Sequence, residues 1–187
     1  MALIELNQVT KAFFANRNCT EVSIALNEID LSIEEGEFVS LLGPSGCGKT
    51  VTLGLMAGFD TPTSGTVRFR DAPITKPGPE RGVVFQEYSL FPWLNVRDNI
   101  IYALKGKGLS KTEERIRADE ALARVGMTDY ADRRPNLLSG GMKQRVAIAR
   151  LLAMDSDVML MDEPFSALDE QTRIALDDAI RNLWRDN

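Results

Sequence analysis

The octapeptide at residues 43–50 constrains the fold of this chain more than any other part of its sequence. It runs Gly43-Pro44-Ser45-Gly46-Cys47-Gly48-Lys49-Thr50 and matches the pattern G-x-x-x-x-G-K-[ST] in full. The apolar run at 38–42 before it predicts a buried strand, and the pattern of residues 49–57 after it predicts a helix that ends at Gly58. A strand, a glycine-rich loop and a helix in this order predict an α/β fold with a phosphate-binding loop.

The residue types of this loop suit a nucleotide phosphate. Glycines let the backbone wrap closely, so that its N–H groups point at phosphate oxygens, and the helix N-terminus adds a favourable dipole. We predict that Lys49 contacts the β- and γ-phosphates of ATP and that the Thr50 hydroxyl binds Mg²⁺. Cys47 is interpreted as a small residue that fills space, with a redox-sensitive thiol as the alternative.

Two acids follow a second apolar run. Residues 158–161 predict a strand buried on both faces of a parallel sheet, and Asp162 and Glu163 come directly after it. In phosphate-loop enzymes such an aspartate holds Mg²⁺, directly or through water. The glutamate after it is placed to polarise an attacking water as a general base. An apolar run followed by two acids is commonly just a strand end, but the upstream loop favours the functional interpretation.

A Ser-Gly-Gly sequence opens another predicted helix. The stretch Leu138-Ser139-Gly140-Gly141-Met142 predicts a second anion-binding loop at a helix N-terminus. Because the chain has one complete phosphate loop, this second loop has no nucleotide of its own. A two-fold dimer, in which the loop of each subunit closes on the γ-phosphate held by the other, resolves this. An ordinary N-capped helix is the simpler alternative.

Composition narrows the class of protein. The 187 residues are 44% hydrophobic, enough for one domain with a buried core. The net charge of −5 and the absence of a basic cluster do not suggest a nucleic-acid partner. Two cysteines, Cys19 and Cys47, are too few for a disulfide framework. We see no signal peptide and no apolar run of about 20 residues, so a role at a membrane is expected to be peripheral.

The three motifs, in this order and spacing, closely resemble the ATP-binding subunits of ABC transporters over almost the whole chain. The resemblance implies ATP hydrolysis coupled to transport, with ATP and Mg²⁺ as cofactors and with Lys49, Gln86 and Glu163 as catalytic residues. It implies that Gln86 contacts Mg²⁺ and reports to the membrane subunits, and that Asp162 is the Walker B aspartate. It also implies that Phe13 stacks on adenine, with a core aromatic as the alternative.

The resemblance also implies the domain organisation. We expect an α/β P-loop NTPase of the ABC ATPase type, with a three-layer core, an N-terminal antiparallel β subdomain and a helical subdomain insert. Residues 1–187 form one domain: 1–86 the β subdomain and the first part of the core, 87–135 the helical subdomain, and 136–187 the signature helix, Walker B and a D-loop at 166–169. Further strands are predicted at 2–9, 22–33, 66–69 and 83–85, and helices at 95–104, 111–125, 142–153 and 172–184.

Two features depart from the family pattern. The resemblance implies that residues 138–142 form the family's signature loop and that the helix after it is the signature helix; Met142 stands where this loop commonly ends in glutamine. The chain ends at Asn187 with no histidine, whereas the family carries a histidine that contacts the γ-phosphate on a loop after the next strand. We therefore expect a truncated sequence, with a naturally shortened subunit as the alternative. The absence of this segment leaves open a nucleotide-binding module with impaired hydrolysis.

One branch of the family is indicated more closely. Residues 77–86 and 90–96, with Gly141-Met142-Lys143-Gln144, look like the nitrate, sulfonate and taurine importers. This implies a homodimer at the cytoplasmic face of the membrane, bound to two permease subunits and acting indirectly with a substrate-binding protein. The apolar run at 90–94 is expected to contact a permease helix, unless Trp93 packs under the helical insert. A soluble ABC ATPase outside transport is the rival, although the chain shows no second cassette or long coiled coil.

Overall fold

The computed structural model describes residues 2–14, 22–165, 168–170, 173–174, 177 and 180–181. The chain divides into two compact units, Met1–Gly78 and Pro79–Asn187. Each unit is described by itself below.

The first unit is built on an antiparallel sheet. Its strands are β1 (Ala2–Phe14), β2 (Val22–Glu34), β3 (Ser64–Phe69) and β4 (Ala72–Pro73), in the order β2-β1-β3-β4. The helix α1 (Lys49–Ala57) follows the phosphate loop and ends at Gly58, as predicted. The predicted strands at 2–9, 22–33 and 66–69 are confirmed, and β1 and β2 continue beyond their predicted ends. This sheet is the antiparallel β subdomain that the motifs implied.

A bulge sets which side chains of β1 are buried. Ile4 and Leu6, two residues apart, are buried on one face, and the next buried position is Val9. The pairing with β2 shifts register between Leu6 and Val9, and Gln8 between them has a left-handed φ of 48°. An extra residue in one strand moves the buried face from even to odd positions. The alternation seen in the sequence is therefore only partial, because the bulge interrupts it.

The predicted buried strand at residues 38–42 is wrong. The segment is not a strand, and Phe38 and Leu42 are 56% and 90% exposed. A strand exists only where a neighbour accepts and donates its backbone hydrogen bonds. The strands of both described sheets pair with one another and leave this segment out. An apolar run therefore predicts a tendency to be buried, but it does not predict whether a neighbouring strand is present to pair with it.

The second unit joins a parallel strand pair to helices. The strands β5 (Arg81–Val84) and β6 (Val158–Met161) are parallel, and the helices are α2 (Val96–Leu104), α3 (Lys111–Arg124) and α4 (Gly140–Met154). These bounds agree with the predicted helices at 95–104, 111–125 and 142–153 and the strands at 83–85 and 158–161 to within two residues. The prediction that β6 is buried on both faces is wrong for most of the strand, since Leu160 is its only buried residue. Among the described residues β6 pairs along one edge alone, with β5.

Local capping explains where these helices begin. The Asn95 side chain accepts a hydrogen bond from the Asp98 N–H at 2.7 Å at the start of α2. At the start of α3, Ser110 and Glu113 cap each other's backbone N–H groups in a capping box. The three helices share one apolar core, whose fully buried members include Ile100, Leu104, Leu122, Met127, Ile148 and Leu151.

An arginine ties the helical segments together. The Arg97 Nε donates to Asp119 on α3 at 2.6 Å, and its Nη1 donates to Asp132. The hydrogen bond to Asp119 is the main cause that raises the pKa of Arg97 above its ordinary value. The guanidinium therefore remains charged and crosslinks α2, α3 and the turn after α3.

The last predicted helix, at 172–184, falls mostly outside the described residues. Those of its residues that are described, Arg173, Ile174, Asp177, Ile180 and Arg181, are helical. Of the D-loop at 166–169, Leu168 and Asp169 are described, and Leu168 is buried in the core of the second unit. In the described part of the chain, no helix combines the length and the apolar character that a membrane span requires.

Candidate nucleotide-binding and catalytic site

The phosphate loop approaches β2 closely. Gly48, the residue before α1, has φ 95°, in the left-handed region that favours glycine. A Cβ at this position would lie 2.6 Å from the Leu26 Cδ2 and 2.8 Å from the Ala25 carbonyl oxygen of β2. Any side chain there would clash with the sheet. The second glycine of the motif is thus required by the fold of the first unit as well as by the predicted phosphate contact.

Lys49 crosses its own loop. Its ammonium donates to the carbonyl oxygens of Gly43 at 2.7 Å and Pro44 at 2.9 Å. Thr50 follows in the first turn of α1 and is exposed, and this turn contains no acidic residue. The loop therefore combines one positive charge with a helix N-terminus and no opposing carboxylate. This arrangement fits a polyphosphate anion.

The remaining loop residues are open to solvent. Pro44, Ser45 and Gly46 are exposed, and so is Cys47. The Cys47 Sγ lies 3.7 Å from the Lys49 Nζ and would be 2.6 Å from a Cβ on Gly43. The thiol therefore lies against Gly43 while it remains exposed.

Gln86 and Glu163 meet beyond the parallel strands. The register pairs Val84 of β5 with Met161 of β6, and the Asp162 N–H donates to the Val84 carbonyl oxygen at 2.9 Å. Carboxyl ends of parallel strands lie at the same edge, so residues just past both ends come together. The Gln86 Nε2 donates to the Glu163 Oε2 at 3.2 Å. Two of the three predicted catalytic residues, 77 positions apart in sequence, are therefore in direct contact.

Glu163 has an unusual backbone. Its φ is 46°, in the left-handed region that non-glycine residues seldom occupy. Its side chain is exposed, whereas that of Asp162 is half-buried. The left-handed residue turns the chain sharply after β6 and leaves the Glu163 carboxylate open to solvent and to Gln86.

The donor set suits a cation held together with a nucleotide. Among the described residues, no group of three or more His, Cys, Asp or Glu side chains could hold a metal ion. Mg²⁺ commonly takes only one or two protein ligands and completes its shell with waters and substrate phosphates. The Thr50 hydroxyl, the Gln86 amide and the Asp162 carboxylate supply oxygens of the kind that Mg²⁺ prefers. Thr50 belongs to the first unit and Gln86 and Asp162 to the second, and their joint binding of Mg²⁺ remains a prediction.

The second glycine loop caps α4. The Ser139 Oγ accepts a hydrogen bond from the Met142 N–H at 3.3 Å, and Gly140 and Gly141 form the first turn of the helix. This is the capped helix of the simpler alternative. Ser139 is nevertheless exposed at this N-terminus, which also has no acidic residue in its first turn. Closure on a second nucleotide remains a prediction.

Two aromatic side chains are exposed where burial was the alternative. Phe13 on β1 is 44% exposed, and the Lys11 ammonium lies 5.0 Å from the centroid of its ring. Trp93 is 68% exposed and contacts Phe91 at a centroid distance of 5.4 Å. Neither residue is a core aromatic of its unit. Both remain open to the contacts that the family resemblance implied.

Two polar residues that the sequence analysis did not single out fix the loop after β5. Asn99 on α2 is fully buried, and its amide accepts from the Phe91 N–H and donates to the carbonyl oxygens of Phe91, Leu94 and Asn95. Arg150 on α4 donates to the carbonyl oxygens of Ser89 and Tyr88. Each polar residue interrupts a run of apolar residues in its helix. That interruption is the sequence signal that could have singled out Asn99 and Arg150.

Comparison with known proteins identifies the family. Residues 26–166 match the family model described as ABC transporter. The chain belongs to the ABC transporter family. The resemblance drawn from the three motifs is thus confirmed.

Relatives within the ABC transporter family are named for ATP binding and anion import. ATP-binding proteins of Brucella abortus and Brucella suis are 49% identical over 161 residues, or 86% of this chain. The nitrate import ATP-binding protein NrtD of Synechococcus elongatus is 48% identical over 87% of the chain. The bicarbonate transport ATP-binding protein CmpD of Synechocystis is 42% identical over 97% of it. The chain spans 62% of the length of the Brucella proteins and 60% of that of NrtD.

Solved ABC cassettes share the fold. The dimeric post-hydrolysis structure of the ATP-binding cassette MJ0796 bound to ADP and Pi is similar with a TM-score of 0.88 and 34% identity. The match covers 98% of this chain and 83% of that one. The predicted fold class, an α/β P-loop NTPase of the ABC ATPase type, is confirmed.

Proposed function

We propose that this chain is the ATP-binding and ATP-hydrolysing subunit of an ABC importer. The observation that carries the proposal is the 3.2 Å contact between the Gln86 amide and the Glu163 carboxylate. It joins Gln86, predicted to contact Mg²⁺ and to report to the membrane subunits, to Glu163, predicted to activate water. Family membership and the similarity to a cassette bound to ADP and Pi support the same reaction.

The proposed mechanism assigns one task to each residue. Phe13 stacks on the adenine, while the loop N–H groups and the Lys49 ammonium hold the β- and γ-phosphates. Asp162 and Thr50 hold Mg²⁺, which neutralises charge on the phosphates when it is bound. The Glu163 carboxylate accepts a proton from the attacking water, and the Gln86 amide orients that carboxylate. The products are ADP and inorganic phosphate.

The proposed assembly is a peripheral complex at the cytoplasmic face of the membrane. Two copies of the chain sandwich two nucleotides, each between the phosphate loop of one copy and Ser139, Gly140 and Gly141 of the other. The exposed Trp93, beside Phe91, contacts one of two permease subunits. A substrate-binding protein acts through those permeases. We also propose the division of the chain predicted from the sequence, into segments 1–86, 87–135 and 136–187.

The proposed cargo is a small anion. Nitrate is the favoured member of the class, because the relative NrtD is named for nitrate import. Bicarbonate, after CmpD, and the sulfonates and taurine of the motif resemblance are the other members. Sequencing the genes on either side of this one tests the cargo, since a neighbouring permease or binding-protein gene would identify it directly.

Glu163→Gln tests the hydrolytic role. The amide keeps the size of the side chain but cannot accept a proton from water. We expect turnover to fall at least about 100-fold while ATP binding persists, so that an ATP-bound dimer accumulates in sizing chromatography. Glu120→Gln, which makes the same charge change on exposed Glu120 of α3, is the matched control and should hydrolyse ATP normally. Normal turnover in Glu163→Gln would remove Glu163 from the reaction.

A further inference from the structure

The loop between β5 and α2, residues 85–95, carries Gln86 and is held at three places. At its start, Val84 is fixed by pairing with β6 and by the hydrogen bond from the Asp162 N–H. At its end, the buried Asn99 amide binds the backbone of Phe91, Leu94 and Asn95. The third attachment lies between these two and comes from a different helix.

That third attachment is the Arg150 guanidinium of α4. Its Nη1 donates to the Ser89 carbonyl oxygen at 2.7 Å and its Nη2 to the Tyr88 carbonyl oxygen at 3.3 Å. Ser89 has a left-handed φ of 47°, a conformation that is costly for serine unless neighbouring contacts hold it. Burial of the half-buried Arg150 side chain lowers its pKa from the ordinary value. A charge has thus been partly withdrawn from water, and both hydrogen bonds that its side chain makes to described residues go to this loop.

The spacing of the attachments restricts Gln86. Only residues 85–87 separate the end of β5 from the two carbonyls that Arg150 holds. Three residues span at most about 10 Å even when fully extended. The position of Gln86 is therefore set from both sides, and its contact with Glu163 depends on the Arg150 attachment as well as on β5.

We propose that Arg150 is a positioning residue that holds Gln86 against Glu163 and links the signature helix to the catalytic pair. α4 begins at the cap made by Ser139, so a shift of that helix moves the guanidinium and, with it, the two carbonyls of the loop. The inference rests on the proposed function in one respect: Gln86 and Glu163 must act in ATP hydrolysis. Arg150 itself contacts neither the nucleotide nor the attacking water in the proposed mechanism.

A double-mutant cycle on the full-length protein tests this link. Arg150→Met and Gln86→Ala should each lower kcat about 10- to 100-fold, and Arg150→Met should leave KM for ATP within about twofold of the unmodified value. If Arg150 acts through Gln86, adding Arg150→Met to Gln86→Ala should lower kcat no further. A double variant whose loss equals the product of the two single losses overturns the inference.

Arg145→Met provides the matched control. Arg145 lies on the same helix, is also half-buried and also donates to a main-chain carbonyl, that of Val125, at 3.5 Å. Its effect on kcat should multiply with that of Gln86→Ala, since Val125 lies outside the loop. Arg150→Lys, which keeps one charged donor in reach of the Ser89 carbonyl, should recover part of the lost kcat. No recovery in Arg150→Lys together with non-additivity in Arg145→Met would indicate a general structural role and overturn the inference.

A second readout needs no hydrolysis. In the nucleotide-free protein, chymotrypsin should cut after Tyr88 several-fold faster in Arg150→Met than in the unmodified chain or in Arg145→Met. Equal cleavage rates overturn the inference alone. Absence of turnover in the unmodified full-length protein overturns the proposed function instead, and the cleavage rates still decide whether Arg150 fixes the loop.

Discussion

The Lys49 side chain makes hydrogen bonds within its own loop. Its ammonium donates to two loop carbonyls, so a phosphate oxygen must compete with the Gly43 and Pro44 oxygens for the same donors. The anion prevails because a full negative charge attracts the ammonium more strongly than a carbonyl dipole does.

Lys49→Ala should therefore weaken ATP binding severely. Without the ammonium, the phosphates lose their one fixed positive charge at this loop, and we expect Kd to rise at least about tenfold in calorimetry. Lys111→Ala is the matched control, because Lys111 is the first residue of α3 as Lys49 is of α1, and it is exposed. Unchanged affinity in Lys49→Ala would exclude Lys49 from the phosphate site.

Asp60 gives the first unit a predictable dependence on pH. The hydrogen bond from Lys11, 2.6 Å long, is the main cause that lowers the pKa of Asp60. Since the folded value lies below the unfolded one, the contact stabilises the unit above about pH 4 and this contribution is lost as pH falls through the folded value. In urea titrations, the free energy of unfolding should fall less between pH 7 and pH 3 in Asp60→Asn than in the unmodified chain.

The control for this pH dependence is Asp129→Asn. Asp129 is exposed, and its side chain makes no ion pair among the described residues. This variant should retain the acid loss of the unmodified chain. Because Asp60 is 39% exposed, solvent screens the pair and the difference should be small. Parallel curves for Asp60→Asn and the unmodified chain would contradict the assignment.

At the scale of elements, local signals predicted far more than non-local ones. The bounds of α1 and α3 were predictable because glycine stops, caps and apolar spacing are written within a few neighbouring residues. Residues 38–42 were not, because pairing depends on a strand elsewhere in the chain. The Gln86–Glu163 contact was implied only through family resemblance, since 77 residues separate the pair. No spacing rule reveals that Arg150 binds Tyr88 and Ser89.

Asn99 should contribute more to stability than any surface polar residue of its helix. It is fully buried, its amide oxygen accepts from the Phe91 N–H, and its two amide N–H groups are shared among three carbonyl oxygens of the loop before α2. Asn99→Ala leaves those groups unsatisfied, and we expect the free energy of unfolding to fall by about 2 to 4 kcal/mol in urea titrations. Asn136→Ala, at an exposed asparagine, should change it by less than about 0.5 kcal/mol. Equal effects would mean that the loop does not depend on Asn99.

At the scale of the whole molecule, the sequence predicts two anion-binding helix N-termini but contains one complete phosphate loop. The first precedes α1 and the second precedes α4, and the two belong to different compact units. If both N-termini of one copy bound the same nucleotide, a single copy would suffice and no two-fold dimer would be needed. The similar cassette MJ0796 is dimeric with ADP and Pi bound. We propose that two copies of this chain likewise share their nucleotide sites.

Mixing two inactive variants tests shared sites directly. Lys49→Ala disables the phosphate loop of its own copy, and Ser139→Arg blocks the signature loop with a bulky side chain. In a hybrid dimer one site carries both defects, whereas the other combines an intact phosphate loop with an intact signature loop. Random exchange makes about half of the dimers hybrid, so the mixture should reach about a quarter of the unmodified turnover, although each variant alone is inactive. The control mixture combines Lys49→Ala with a double variant that carries both Lys49→Ala and Ser139→Arg. Every phosphate loop in this mixture is disabled, so no intact site can form and the mixture should remain inactive. If the first mixture hydrolyses ATP no faster than this control, each chain forms its site alone and the sandwich is wrong.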